Sequence, residues 1–508
     1  MRRRRLPGAN PSRTGRTRRR RRSRSIRGIG GRAAIISISR LMNHGLVLIS
    51  PMVLVRLLSV EDFGRYREFL IYTTILASVA AFGVNSSLLR FVPHRPEQRW
   101  RFVNQALVIT ATSSIVVLGV TALLNAVFDG ALVGEYMPPL ALYVGFFVNF
   151  DYWEQLWLAE RRAAAVFGYT SGRLLARLTV VIAAAALTGD LGVIIWSLVA
   201  LEAVRLAASI LAWSRLRQPV QGPLPGSWSE QLRFCLPVGG ASVLMTFNKS
   251  LGSLFVAKMM GPVGLAHYAI GTYVQPVITV LRDSMSDALL PEMAARQPGE
   301  RSDPLHMWRR MTIAAAIALI GAAVVLMRFA ELIVVTLFSE EYRPAVIVFQ
   351  IYLLVLVREI MDFAVPLRAI SRTAPIMRGN LLSLCVNTVL LLLLLPRVGV
   401  AGAAAAFVAA RSAEALYLGL QTARAYGIRP RALADWRGLG KVGLAAGLAS
   451  VTLYGSFWTD ALGLLGVMAG GACFLLAYLA LLVWLRVPEA QALLGRLQQL
   501  GRSFHASA

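Results

Sequence analysis

Charged residues are scarce in this chain. They make up 16% of its 508 residues, against about a quarter in an ordinary soluble domain, while 56% are hydrophobic. So little charge cannot cover a water-exposed surface of that size, which excludes a soluble enzyme or binding domain. Cysteine is rarer still, with Cys235, Cys385 and Cys473 all inside apolar runs. No CxxC pair or Cys/His cluster exists, so neither a disulfide framework nor a structural zinc site is indicated. Five scattered histidines form no metal set, and no metal or cofactor is expected. No GxxxxGK[ST] loop is present, so nucleotide hydrolysis by this chain is not expected to drive its work. The strict alternation of a transmembrane β-barrel is also missing. Nor is any loop large enough to hold an independent active site, which argues against an enzyme.

What the chain has instead is long apolar runs, each about the 20 residues needed to cross a bilayer. Breaking them at charges and at Gly/Pro punctuation gives fourteen helices. The first six are expected over 33–56, 67–89, 102–127, 137–157, 166–187 and 191–213. Six more are expected over 231–256, 268–290, 308–328, 345–367, 376–396 and 400–423, and two over 439–458 and 461–485. The fold class is therefore an all-α polytopic membrane protein. The domain reading is a disordered Arg-rich tail over 1–32, a six-helix bundle over 33–214 and a cytoplasmic linker over 215–230. A second bundle follows over 231–424, then two extra helices within 439–485 and a tail over 486–508.

The net charge of +27 is concentrated on one side. Fourteen arginines fall within residues 1–32, in a segment with almost no apolar content. That tail reads as a solvated cytoplasmic arm that touches anionic lipid headgroups. No folded module or aromatic platform accompanies it, so nucleic acid is not an expected partner. With the N-terminus inside, basic residues in and beside the cytoplasmic segments number 38, against 7 on the other side. The asymmetry survives removal of the tail, at 24 against 7. The outer loops instead carry acidic residues, among them Glu61, Asp62, Asp129, Glu135, Glu340 and Glu341. Fourteen spans with both termini cytoplasmic satisfy this pattern. The apolar outer loop around 329–344 is expected to lie along the membrane surface.

A short polar step recurs. "VRLLSVEDFGRY" (55–66) and "AKMMGPVGLAHY" (257–268) each join two apolar runs, and an offset of 202 pairs Arg56 with Lys258 and Tyr66 with Tyr268. At 207, "LLARLTVVIAAAALTGDLGV" lies over "LLSLCVNTVLLLLLLPRVGV" and superposes Gly192 on Gly399. Two six-helix halves with the same orientation follow, related by a pseudo-twofold along the membrane normal. A cavity is expected between the copies.

The stretch "LVRLLSVEDFGRYREFLIYTTILASVAAFGVNSSLLRFVP" resembles the first two helices of bacterial polysaccharide-biosynthesis flippases. "VGLAHYAIGTYVQPVITVLRDSMSDALLPEM" resembles their seventh-to-eighth helix region, and "LFSEEYRPAVIVFQIYLL" their ninth-to-tenth. The resemblance implies the multidrug/oligosaccharidyl-lipid/polysaccharide exporter superfamily, with alternating access between two bundles in the bacterial cytoplasmic membrane. It implies a flippase for polyprenyl-diphosphate-linked oligosaccharide in surface polysaccharide biosynthesis, with a polymerase and glycosyltransferases as possible partners. A lipid II flippase and a cation-coupled multidrug exporter are the alternatives. Asn248-Lys249 stands where many relatives carry an acidic residue, which counts against cation coupling.

Eight basic and eight acidic residues fall inside the proposed spans. A charge at a lipid-facing helix centre costs about 2.5–3.5 kcal/mol on insertion scales, so these must pair, snorkel or face water. Asp151, Glu154 and Arg173 lie near a cytoplasmic end and are expected to snorkel. Glu202 with Arg205, Arg358 with Asp362, and Arg411 with Glu414 are spaced for local pairing. Arg40 and Lys249 have no acidic residue three or four positions away, and Arg282 has only the adjacent Asp283, so these three are the leading diphosphate contacts, with Arg177, Arg205, Arg358 and Arg411 completing a cationic cavity. Arginine grips phosphate with a bidentate fork and lysine with a point charge. Asp283, Glu359, Asp362 and Glu414 are candidate coupling or paired carboxylates. Asn43, Tyr72, Asn85, Tyr273 and Gln275 could meet sugar hydroxyls. The topology has a direct test. A single cysteine near Asp129, Glu340 or Asp460 is expected to react with an impermeant thiol reagent from outside, and one near Gln218, Gln297 or Arg429 is not. Outside labelling of the 215–228 segment would overturn the fourteen-span arrangement.

Overall fold

A computed structural model describes residues 49–127, 134–216, 227–275, 305–454 and 463–491, with five isolated positions between 278 and 293. The described residues are almost wholly helical, and no strand occurs among them. Among the described residues six helices are long and apolar enough to cross a membrane, or seven if one bent pair is a single span. The protein is an all-α, multi-pass membrane protein. The expected span 33–56 lies largely outside the described residues, as do Arg40 and Asn43.

The first polar step is not a loop. Residues 49–57 are helical, and after a two-residue break α1 (Val60–Ala81) begins seven residues earlier than the apolar pattern predicts. The cause is local. Ser59 and Asp62 bind each other, the Asp62 N–H donating to Ser59 Oγ at 3.0 Å and the hydroxyl donating to Asp62 Oδ2 at 2.7 Å. Such a cap starts a helix on polar residues. α1 then bends by 41° into α2 (Val84–His94) at Phe82 and Gly83, both in the left-handed region. A Cβ on Gly83 would stand 2.7 Å from the Gly239 nitrogen, so only glycine allows this contact.

α3 (Arg99–Val127) is followed by α4 (Met137–Val148), α5 (Trp153–Ala159), α6 (Ala163–Thr188) and α7 (Leu191–Leu216). α8 (Ser227–Gly271) runs 45 residues and kinks at Gly261, whose φ is 70°. It therefore merges the end of the expected span 231–256 with the second polar step, and the next helix starts at Pro262, not at 268. Proline suits that first-turn position because its missing N–H would have had no helical partner there. Further along lie α9 (His306–Arg328), α10 (Ala330–Leu337), α11 (Ala345–Glu359), α12 (Ala364–Ala369), α13 (Ala374–Val398), α14 (Val400–Ala425), α15 (Trp436–Ala449) and α16 (Gly463–Trp484).

The helices gather into two compact units. Unit 1 holds residues 76–187 and 192–241, and unit 2 holds 51–75, 188–191 and 242 onward. Unit 1 has an aromatic core of Phe91, Phe102, Trp100, Tyr152 and Trp153, with Phe91 stacked on Phe102 at 4.9 Å. Ser87, Gln105, Ser227 and Gln231 are buried beside it and bonded to one another or to main chain. In unit 2 the C-terminal helices are part of the body. Tyr478 of α16 is buried and donates to the Ile317 carbonyl of α9 at 3.1 Å.

Both polar steps belong to unit 2, where they pack directly against each other. A Cβ on Gly64 would fall 1.9 Å from the Pro262 carbonyl oxygen, so the two backbones touch. Tyr342, fully buried, meets Phe63 of the first step and His267 of the second edge-on, each at 6.0 Å between centroids. The outer loop around 329–344 is thus folded inward as α10 and a 3₁₀ turn, with Phe338 and Tyr342 buried. Lys258 adds an ion pair to Glu68 at 3.8 Å, and Arg56 donates to the Thr336 carbonyl at 2.7 Å. This packing predicts that Gly64→Ala overpacks the contact by about 1–3 kcal/mol and lowers the melting temperature of the detergent-solubilised protein. Gly119→Ala, on α3 with nothing within 4 Å of the added carbon, should leave it unchanged or raise it.

Candidate functional site

Eight of the charged residues of the expected spans gather into two largely buried constellations, one in each unit. In unit 1 the span formed by α4 and α5 is broken at residues 149–152, where Asn149 is extended and Phe150 has a φ of 57°. The break leaves the last carbonyls of α4 without helical partners, and a polar group left unsatisfied in an apolar surrounding costs several kcal/mol. Arg205 of α7 satisfies them. Its guanidinium donates to the carbonyls of Phe146, of Phe147 at 3.1 Å, of Asn149 at 3.1 Å and of Phe150 at 3.5 Å. Cationic charge also suits this end of a helix dipole.

The same side chain is held by Glu202, one turn earlier, at 2.6 Å. Arg173 of α6 completes the set, at 2.8 Å from Asp151 in the break and 3.3 Å from Glu202. Its guanidinium lies over the Phe147 ring, 4.7 Å from the centroid. Tyr169 donates to Asp151 at 3.4 Å. Two arginines therefore face two carboxylates, and the set is neutral. Asp151 and Arg173 do not snorkel, because each finds its counter-charge within the protein.

Unit 2 repeats the theme. The span formed by α11 and α12 breaks at residues 360–363, and Asp362 in the break accepts the Ala364 N–H at 2.9 Å. Its other oxygen accepts from Ser286 at 2.8 Å, and its carbonyl accepts from the Trp308 indole at 3.1 Å. Arg358 pairs with Glu359 at 2.9 Å, so the pairing with Asp362 expected from the sequence is not the one formed. Arg411 of α14 lies 2.7 Å from Glu359 and also binds Glu414, one turn on, as the spacing predicts. Arg358 reaches Glu414 at 3.9 Å and donates to the Arg411 carbonyl at 3.1 Å. Here too two arginines face two carboxylates, with Glu359 and Glu414 about 4% exposed.

The two constellations occupy matching places on helices of like length and order. α7 and α14 both have 26 residues, and laying Leu191 on Val400 places Glu202 on Arg411 and Arg205 on Glu414. The same i,i+3 pair recurs with its signs exchanged. Laying α5 on α12 puts Asp151 on Asp362. The turns that follow also match, with Arg161 and Ser371 left-handed and 2.8–2.9 Å bonds from Arg162 to Trp157 and from Arg372 to Leu367. The glycine equivalent to Gly399 is therefore Gly189, with φ of 62° against 65°, and not Gly192. The sequence alignment was three residues out because leucine and alanine runs match at any register.

Of the residues expected to hold a diphosphate, Arg40 and Arg282 lie outside the described residues, as does the candidate carboxylate Asp283. Lys249 is exposed on α8, and Arg177 is half-buried on α6. Arg205, Arg358 and Arg411 are engaged by carboxylates, Arg205 and Arg358 by main chain as well. Tyr72 donates to Glu68 at 2.6 Å, Tyr273 packs edge-on against Phe338, and Asn85 is exposed. Asp151, Glu202 and Arg173 belong to the constellations but were not site residues on the sequence reading. Their signal was the exchanged pair Glu202–Arg205 over Arg411–Glu414, which only the correct register displays.

Comparison with known proteins decides the family. The model of a family described as "Polysaccharide biosynthesis protein" matches residues 53–347, more than half the chain. The chain belongs to this family. No curated protein matches it by sequence. In fold it is similar to the lipid II flippase MurJ in an inward closed conformation, with a TM-score of 0.69 at 14% identity over 89% of this chain and 99% of that one. An inward-facing multidrug resistance MATE family transporter of the MOP superfamily gives 0.51 at 12% identity, covering 77% of this chain and 98% of that one. A point mutant of the Vibrio cholerae MATE transporter VcmN gives 0.52 at 14%, covering 78% and 95%. The family is thus that of polysaccharide biosynthesis proteins, and the fold is the one seen in those flippase and transporter structures.

The unit 1 constellation has a quantitative consequence. Asp151→Asn and Arg173→Gln each leave buried charge uncompensated and are expected to cost about 3–5 kcal/mol. The double variant removes one charge of each sign and should cost less than the sum, with a coupling of about 1–3 kcal/mol in a thermal or denaturant double-mutant cycle. Additive losses would show that the pair does not interact.

Proposed function

We propose that this protein is a flippase that moves a polyprenyl-diphosphate-linked oligosaccharide across the bacterial cytoplasmic membrane by alternating access, for surface polysaccharide biosynthesis. The observation that carries the proposal is the polysaccharide biosynthesis family match over residues 53–347, on a chain with a transporter fold. In this reading the six-helix blocks 33–214 and 231–424 are the alternating bodies. Both termini are cytoplasmic, and the arginine-rich tail rests on anionic lipid. A polymerase and glycosyltransferases of the same pathway would consume the product and supply the substrate. No bond is made or broken by the protein itself.

The substrate's diphosphate is the part that cannot cross apolar surroundings unaided. Arg40, Lys249 and Arg282 are proposed as its direct contacts, with Arg177 beside them. Arg205, Arg358 and Arg411 already balance carboxylates, so their use by substrate would cost the constellations their neutrality. Any cation coupling would fall to Asp283, Glu359, Asp362 or Glu414.

A second reading, transport of lipid II, is supported by the 0.69 TM-score and the 89% of this chain aligned with the MurJ structure. Proteoliposomes offered both lipids separate the two, since the proposal expects the polymer-type oligosaccharide lipid to be moved and lipid II to be left. In the same assay Arg40→Ala, Lys249→Ala or Arg282→Ala should each remove a charge-assisted contact of about 1.5–3 kcal/mol, a tenfold or greater loss of binding at normal membrane abundance. Arg282→Lys should be worse than Lys249→Arg, because lysine cannot reproduce the fork. Three abundant, fully active alanine variants would remove these residues from the site.

A further inference from the structure

The exchanged signs of the two constellations raise a question about what their arginines do. A residue that grips an anionic substrate must keep its own sign, yet Arg205 is matched by Glu414 and Arg411 by Glu202. A set of two arginines and two carboxylates is different. It is equally neutral whichever position carries which sign, provided that no member has a second duty.

We propose that Arg173, Arg205, Arg358 and Arg411 are positioning residues that clamp the two broken spans, α4–α5 and α11–α12, at a fixed bend, and do not contact the transported lipid. In unit 1 the clamp closes through the main chain, because Arg205 alone satisfies carbonyls on both sides of Val148 and is steadied by Glu202. Arg173 then ties Glu202 to Asp151 inside the break. In unit 2 the clamp closes through side chains: Arg411 bridges Glu359, the last residue of α11, to Glu414. There Arg358 supplies the main-chain bond, to the Arg411 carbonyl, which exists whatever side chain residue 411 carries. The broken backbone explains the need for a clamp. Each break interrupts helical hydrogen bonding within a span, and without a substitute the two halves would hinge freely.

The two closures predict different responses to charge exchange. The double variant Arg411→Glu/Glu414→Arg keeps a neutral set with the same neighbours and should preserve the bend. The matching exchange in unit 1, Glu202→Arg/Arg205→Glu, is just as neutral but replaces the donor to the α4 carbonyls with an acceptor, and should lose the bend. Spin labels report this without any transport assay. The labels go at Leu142 and Leu158 for unit 1 and at Leu354 and Ile370 for unit 2, all exposed and flanking the breaks. A background in which the three native cysteines are replaced keeps the labels specific. In proteoliposomes the parent should give one narrow distance for each pair. Arg205→Ala and the unit 1 exchange should broaden the 142–158 distance. Arg411→Glu alone should broaden 354–370, and adding Glu414→Arg should restore it. If Arg205→Ala does not insert, Arg205→Lys keeps the charge for Glu202 while losing most of the carbonyl bonds, and must broaden the distance as well.

A narrow 142–158 distance in the inserted Arg205 variant, or equal behaviour of the two exchanges, overturns the inference. Kinetics with a polyprenyl-diphosphate-linked oligosaccharide give the complementary readout. A clamp lowers the maximal rate and leaves the half-saturating concentration unchanged. A tenfold rise in that concentration with the label distance still narrow would mean that Arg205 touches substrate, again overturning it. A parent protein that moves no such lipid would defeat the flippase reading while leaving the distance test intact.

Discussion

The bilayer interior holds no water, and every charge and every interrupted backbone bond placed there must be satisfied by the protein. That constraint shapes both units. A break within a span exposes carbonyls, the carbonyls call for cationic donors, and the donors in turn require carboxylates so that no net charge stays in the apolar region. Asp151, Arg173, Glu202 and Arg205 are successive answers to one interruption at residues 149–152. In unit 2, Arg358, Glu359, Arg411 and Glu414 form the corresponding neutral set beside the interruption at 360–363. Charge is scarce in this chain, and much of what lies inside the spans is committed to such balances.

The same economy appears at the polar steps. They look like loops because they carry Ser59, Glu61, Asp62 and Arg65, or Gly261 and Pro262. They fold instead as helix starts, the first capped by Ser59 and the second following the kink at Gly261. Gly64 and Pro262 then let the two backbones approach more closely than any side chain would allow. Tyr342 contributes a ring to both. The three stretches that carry the family resemblance, around Gly64, Pro262 and Tyr342, thus meet at one place in unit 2.

For function, the division of the intramembrane cations matters most. In the proposed reading, Arg173, Arg205, Arg358 and Arg411 serve the shape of the spans. The residues assigned to the diphosphate are Arg40, Lys249, Arg282 and Arg177. A flippase for an anionic lipid needs both classes, because cations that grip a diphosphate act only from helices whose own charges are already balanced.

Composition and apolar run length determined that this is a multi-pass helical membrane protein, because crossing a bilayer requires about 20 apolar residues wherever it happens. The i,i+3 pairs Glu202–Arg205 and Arg411–Glu414 were also legible, since each depends on neighbours within one helical turn. Register was not. Leucine and alanine runs align at 207 as well as at the 210 that pairs Gly189 with Gly399 and the 209 that pairs α7 with α14, so spacing alone does not display the exchanged signs. Tertiary structure alone decided that Arg173 reaches Asp151 and Glu202, that Arg358 prefers Glu359 to Asp362, and that Arg205 caps α4. Those partners lie up to 59 residues apart. Only the packing of helices chooses which of several nearby carboxylates or carbonyls a long guanidinium finds.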